Sequence, residues 1–158
     1  MELMHAEFDI KPDLVLKVLS LEETELIRQQ WIDTFCKNRK GISIKNYKWH
    51  IFSTEAYPSV SGSSAEEVYL SQQAPEFIVL SEHHESAIIT SELPIECSSS
   101  DYYVFPKNLA WTMASTHENG WLGPYFAEHA QYEKLNKINL AGIAKAKAIA
   151  EAKSKGWC

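Results

Sequence analysis

"EFIVLSEHHESAIITS", residues 76–91, decides how the rest of the chain is read. Two runs rich in β-branched and aromatic residues, EFIVLS (76–81) and SAIITS (86–91), flank the four polar residues of EHHE. Such runs on either side of a short polar link are the pattern of a β-hairpin. Toward the C-terminus the strand pattern repeats in YYVFP (102–106), LAWTMAST (109–116) and LGPYFA (122–127). The turn region SELPIECSSSD and the pairs Asn119-Gly120 and Gly123-Pro124 punctuate it. Links this short leave no room for crossover helices, so neighbouring strands must run antiparallel. Toward the N-terminus YKWHIFS (47–53) alternates and reads as a further strand, while LVLKVL (14–19) reads as a strand or a short lead-in helix.

Two helices accompany these strands. Ser20-Leu21-Glu22-Glu23 has the form of a capping box, a hydroxyl at the N-cap and a carboxylate three residues on. At about 100° per residue, Leu21, Ile27, Trp31, Ile32 and Phe35 then fall within an arc of about 140°. This predicts a helix with one buried face, closed near Asn38 to Gly41, with Trp31 and Phe35 in the core. Along LAWTMAST the alternation puts Trp111, Met113 and Ser115 on one sheet face and Thr112, Ala114 and Thr116 on the other, with Trp111 and Met113 expected against this helix near Trp31 and Phe35. Ser63-Ser64-Ala65-Glu66 offers a second capping box, with Ala65, Val68 and Tyr69 inward and Pro75 ending the segment. The expected fold class is α+β: an antiparallel sheet of about five or six strands with helices packed on one face, plus a C-terminal Ala/Lys-rich helix. Residues 1–130 form the single domain and residues 131–158 the helical tail. In the tail, Leu135, Ile138, Gly142, Ala146 and Ile149 make a thin stripe that can dock on a core but cannot supply one.

The formal charge is −6, unevenly spread over the 158 residues. The tail carries six lysines against Glu133 and Glu151, whereas the preceding 130 residues hold 19 acids against 9 bases. A body at −10 repels nucleic acid and attracts a basic partner, though negative charge also serves solubility. No apolar run approaches the roughly 20 residues that span a bilayer. MELMHAEFDI lacks the basic and then apolar character of a secretory signal, so a cytoplasmic protein is expected. Cys36, Cys97 and Cys158 are odd in number and widely spaced, unlike a disulfide framework or a zinc module.

Standard catalytic signatures are missing: no glycine-rich phosphate loop, Gly-x-Ser-x-Gly elbow, His-Glu-x-x-His or Cys-x-x-Cys. No cofactor or metal is expected. His83-His84-Glu85 sits in the hairpin turn, where a solvated polar turn competes with a metal pair. His50 in KWHIF is read as lying on the face opposite Trp49. His117-Glu118 ends a strand at the sheet rim, and an imidazole beside a carboxylate suits general acid–base work. Three roles stay open for this pair: tying the turn to the loop beyond Trp121, recognising a protein, or catalysis. The candidate binding residues are His117, Glu118, Trp121 and Tyr125; in the catalytic alternative His117 and Glu118 act.

The combination KWHIFS, Ala65, EFIVLS, YYVFP, WTMASTHE and GPYF resembles a family of small bacterial proteins known only as a domain of unknown function. The likeness runs over about residues 47–127, and WT…THE…GPYF is its most specific part. The resemblance implies a compact cytosolic bacterial domain and no chemistry; the tail beyond Tyr132 falls outside it. In general character the chain is similar to immunity proteins, which bind a toxin domain and block its active site. The expectation is a non-enzymatic binding protein of immunity or inhibitor type, with a basic toxin domain as partner and neither nucleic acid nor membrane. The alternative is a small hydrolase-like enzyme using His117 and Glu118.

Overall fold

A computed structural model describes residues 6–39 and 41–156. In chain order the first elements are β1 (Ile10–Lys11), β2 (Val15–Val18), α1 (Leu21–Phe35), α2 (His50–Ser53), β3 (Val60–Ser61) and α3 (Ser63–Leu70). Then follow β4 (Phe77–Ser81), β5 (Ile88–Thr90), β6 (Glu96–Cys97), β7 (Tyr102–Pro106), β8 (Trp111–Ser115), β9 (Tyr125–Glu128) and α4 (Tyr132–Ser154). The class is α+β, as expected. Seven strands form one sheet in the order β2-β5-β4-β7-β8-β9-β3, every neighbour antiparallel, and β1 pairs with β6 separately. The hairpin read from EHHE is the β4–β5 pair, with Val79 opposite Ile88.

Helices cover both faces of this sheet and not one alone. On the first face Ile78, Leu80, Tyr103, Phe105 and Ala114 pack with Trp31 and Phe35 of α1 and with Ile51 and Phe52 of α2. On the second, Phe77, Val79, Val104, Trp111 and Met113 pack with Ala65 and Tyr69 of α3, and Tyr132 and Leu135 of α4 lie against them. Successive strand residues point to opposite faces, so a strand covered twice is buried at every position, and any polar side chain in it needs a hydrogen-bond partner. All five residues of β4 are buried, and so are all five of β8. The uninterrupted apolar run FIVL (77–80) is the sequence trace of that double cover.

The Ser20 capping box forms in full: the Ser20 hydroxyl accepts from the Glu23 N–H, and the Glu23 carboxylate accepts from the Ser20 N–H, both at 3.1 Å. Trp31 and Phe35 are buried as expected. Leu21 is half exposed, and Thr24 goes inward instead, its hydroxyl accepting the Ala87 N–H at 2.9 Å.

Three expectations are corrected. Residues 47–53 are not a strand: a turn leads into α2, and Trp49, Ile51 and Phe52 all reach the core. The backbone needs no ladder there, because the Glu82 carboxylate accepts the Lys48 N–H at 2.7 Å and the Tyr103 hydroxyl accepts the Trp49 N–H at 3.0 Å. The Ser63 capping box does not form either. Gly62 is the N-cap, at φ 65° and without a side-chain cap bond. The chain leaves the edge strand β3 through a backbone turn that glycine adopts readily. Finally, Trp111 and Met113 share a face, but it is not the face of α1. Tyr103 pairs with Ala114 across β7 and β8, so α1 meets Thr112 and Ala114, and Trp31 Nε1 donates to Thr112 Oγ1 at 3.0 Å. Trp111 instead meets Tyr69, Phe77 and Phe126.

α4 docks by its first turns. Asn139 is buried and donates to Asn108 Oδ1 at 3.3 Å, and a Cβ on Gly142 would lie 2.7 Å from the Pro75 ring. Ile138 and Ile149 of the expected stripe are exposed.

Candidate functional site

The site grows from one buried carboxylate. Asp101 precedes β7 and is 1% exposed, within reach of groups from three other segments. Its Oδ1 accepts the His117 N–H at 3.1 Å, lies 2.9 Å from His117 Nδ1, and accepts Trp49 Nε1–H at 2.9 Å. Its Oδ2 accepts from the Ser100 hydroxyl at 3.0 Å, with His83 Nε2 at 3.7 Å. Burial alone would push this carboxyl up, but the bonds from His117, Trp49 and Ser100 outweigh it and hold it below its ordinary range. In return the Asp101 bond raises the His117 imidazole above its ordinary value.

The His117 ring is therefore oriented, with Nδ1 on the carboxylate and Nε2 left for an incoming group. Aromatic rings frame it: Tyr47 lies 5.0 Å and Trp49 6.0 Å away between ring centroids. His50 and His83 each lie 5.7 Å from Tyr47, so three imidazoles surround one phenol. His50, expected to face away from Trp49 on a strand, packs against it edge to face at 4.6 Å.

A buried second layer supports this one. Lys48 and the Glu82 carboxylate form an ion pair, their side chains both 5% exposed, and the Tyr103 hydroxyl donates to Glu82 Oε1 at 2.6 Å. Burial pushes the Lys48 ammonium down while Glu82 pulls it back up; burial pushes Tyr103 well up. The same Tyr103 oxygen accepts the Trp49 N–H, so the buried pair fixes the start of α2 and, through Trp49, Asp101.

Beyond His117 the chain makes a tight loop. The Thr116 N–H donates to Asn119 Oδ1 at 2.9 Å, Asn119 Nδ2 donates to Ser115 Oγ at 2.8 Å, and the Thr116 hydroxyl donates to the Leu122 carbonyl. Gly123 closes the loop at φ 104°, where a Cβ would lie 3.0 Å from Thr116 Cγ2. At the tip Trp121 is 78% exposed.

The expected residues thus divide. His117 and Trp121 stand at the rim, with Glu118 half-buried between them, but Glu118 does not orient His117; Asp101 does. Tyr125 is buried in the first-face core, stacked on Trp49 at 6.4 Å. His83 and His84 diverge: His84 Nδ1 meets Ser81 Oγ at 2.6 Å, while His83 turns toward Asp101. Among the described residues no group of three or more His, Cys, Asp or Glu could hold a metal ion. Sequence reading passed over Asp101, Lys48 and Glu82, whose charged side chains looked like ordinary turn and surface residues.

An open depression of about 500 Å³ adjoins His117, lined by Ile95, Cys97, Ser99, Thr116 and Asn119 among others. Its candidate nucleophiles are engaged or muted. Ser99 Oγ lies 2.7 Å from Ser81 Oγ and 3.2 Å from the Asp101 carbonyl, and burial pushes the Cys97 thiol up to about 11.

Fold and site together define an open antiparallel α+β protein with an aspartate-held histidine and an exposed tryptophan on one rim. The chain belongs to the family described as a domain of unknown function, DUF4275, whose family model matches residues 15–126. No curated protein and no solved structure matches it. The match takes in Asp101, His117 and Trp121 and stops before α4. No helix among the described residues is long and apolar enough to cross a membrane.

Proposed function

We propose that this protein is a cytoplasmic, non-enzymatic binding protein of immunity or inhibitor type, which docks a basic protein partner on the His117–Trp121 rim. The observation that carries the reading is Trp121, 78% exposed on a loop closed by side-chain hydrogen bonds. A large aromatic held out on an ordered loop loses little conformational freedom when it is buried, which is how interface anchors act. The acidic body supports a basic partner through complementary charge. The test is co-purification with the basic product of a neighbouring gene, followed by Trp121→Ala. That substitution should leave the melting temperature unchanged and weaken the complex by about 2 kcal/mol or more. Equal affinity for Trp121→Ala and the parent removes the rim from the interface.

The His117–Asp101 pair favours a second reading, a small hydrolase-like enzyme. In it His117 Nε2 takes a proton from water while Asp101 holds the imidazolium, with Glu118 alongside at the rim. Turnover of a screened ester or phosphodiester that is lost in His117→Ala would establish this reading in place of the first.

A further inference from the structure

The depression beside His117 continues into a second cavity of about 350 Å³, bounded by Glu66 and Leu70 of α3, Met113 of β8 and Pro124. Ile95, Tyr102, Ser115 and Asn119 line both. The two are therefore one groove, which runs from α3 across the paired ends of β7 and β8 to His117. Its α3 end is apolar: Leu70 and Ile95 are 61% and 62% exposed, and the buried Tyr69 and Met113 also line it. Its His117 end is polar, with Ser99, Ser100 and Thr116 among its residues.

The walls of this groove are already fixed. The Tyr69 hydroxyl donates to the Pro94 carbonyl, tying α3 to the segment that carries Ile95. The Ile95 N–H donates to the Lys11 carbonyl at 2.8 Å, which holds that segment on β1. On the loop side, Asn119 is held by its bonds to Ser115 and Thr116. A groove built in advance loses little freedom when it is filled. Among the described residues β6 pairs with β1 alone, and Glu96 and Cys97 of β6 line the groove. An extended chain can lie along an open strand edge and direct alternate side chains inward.

Charge decides what that chain must carry. Glu66 lines the apolar end, is exposed, and has no ion-pair partner among the described residues. Leu70 lies one helical turn on, so α3 presents a carboxylate and an apolar side chain together. Glu96 adds a second carboxylate; its Lys11 partner stands at 3.5 Å with both side chains largely exposed, a weak pairing open to another cation. At the far end His117 Nε2 meets the backbone of the chain, accepting an N–H when neutral and donating to a carbonyl when protonated. We propose that the groove takes an extended segment of the basic partner. An aliphatic side chain of that segment enters between Leu70, Ile95 and Met113, and a neighbouring lysine or arginine meets Glu66. The proposal rests on the reading of the protein as a binder of a basic protein, and names the part of the partner that is bound.

NMR titration of the isotope-labelled full chain with short capped peptides tests this without the partner. A peptide alternating lysine and leucine should shift the backbone amides of Leu70, Ile95, Met113 and Asn119 saturably. Serine in place of its leucines, or glutamate in place of its lysines, should weaken binding about tenfold or more. Glu66→Lys should reverse the preference toward the glutamate–leucine peptide, and Leu70→Lys should abolish binding of the lysine–leucine peptide. Both positions are exposed, and an unchanged circular dichroism melt shows that each variant folds. No saturable shift at these residues, or equal binding of the three peptides, overturns the proposal. So does a shift at the same residues on diluting the protein alone, which would put a second copy in the groove. In the complex with a captured basic partner, Leu70→Lys should weaken affinity about tenfold or more. Equal affinity there strikes the groove alone, whereas equal affinity for Trp121→Ala strikes the rim.

Discussion

At the scale of single residues, Asp101 is where the chain commits most to one arrangement. Its carboxylate accepts hydrogen bonds from the His117 backbone, Trp49 Nε1 and Ser100, and meets His117 Nδ1, while 1% exposed. The pH consequence has a definite sign. His117 is raised above its ordinary 6.5, so its contribution is fully present below 6.5 and is lost as pH rises through the raised value. Asp101 is held below its ordinary 3.8, so its contribution is present above 3.8 and is lost as pH falls through the lowered value. The pair therefore stabilises most between 3.8 and 6.5. Asp101→Asn should cost about 1–3 kcal/mol, the range for disturbing a buried hydrogen-bonded group. It should also lower the pH at which the His117 ring titrates, read by NMR of the imidazole protons. A His117 titration that does not move would show that Asp101 organises the loop without tuning the ring.

At the scale of elements, parity along β8 decides which core each side chain joins. The alternation of WTMAS placed Trp111 and Met113 together correctly, but nothing in the strand says which sheet face α1 will cover. A step of one residue exchanges the two faces completely, and the register of Tyr103 with Ala114 makes the choice. Trp111 is 0% exposed among Tyr69, Phe77 and Phe126, so Trp111→Ala should destabilise the protein by about 3–5 kcal/mol in chemical denaturation. A cost below about 1 kcal/mol would mean that the second-face core closes over the gap. The start of α1 and the burial of Trp31 and Phe35 were legible because the capping box and the apolar arc are local, whereas its end at Phe35 falls short of the expected Asn38 to Gly41. Residues 47–53 were not legible, since their backbone partners, Glu82 and Tyr103, lie 34 and 54 positions away.

At the scale of the whole molecule, charge separates the acidic body from the lysine-bearing α4. If a basic protein docks on the body, its encounter rate should rise from the roughly 10⁵–10⁶ M⁻¹s⁻¹ of neutral pairs toward about 10⁸ at low salt. It should then fall steeply as the Debye length shrinks to about 8 Å at physiological strength. The dissociation rate should hardly change. Stopped-flow association across a salt series checks this, and a rate flat in salt would mean that the negative charge serves solubility alone.

Locally encoded features were settled by the sequence alone: the antiparallel class from short links between β-rich runs, α1 from its cap and arc, the helical tail from its composition. His117 and Trp121 were legible as rim residues because turn signals lie beside them. What only the tertiary structure decided depends on contacts between distant segments. It placed cover on both faces of the sheet, replaced Glu118 by Asp101 as the partner of His117, buried Tyr125, and set Lys48 and Glu82 beneath the site. The physical reason is the same in each case. A side chain's neighbours across a sheet are set by strand order and register, and no periodicity within a single segment records either.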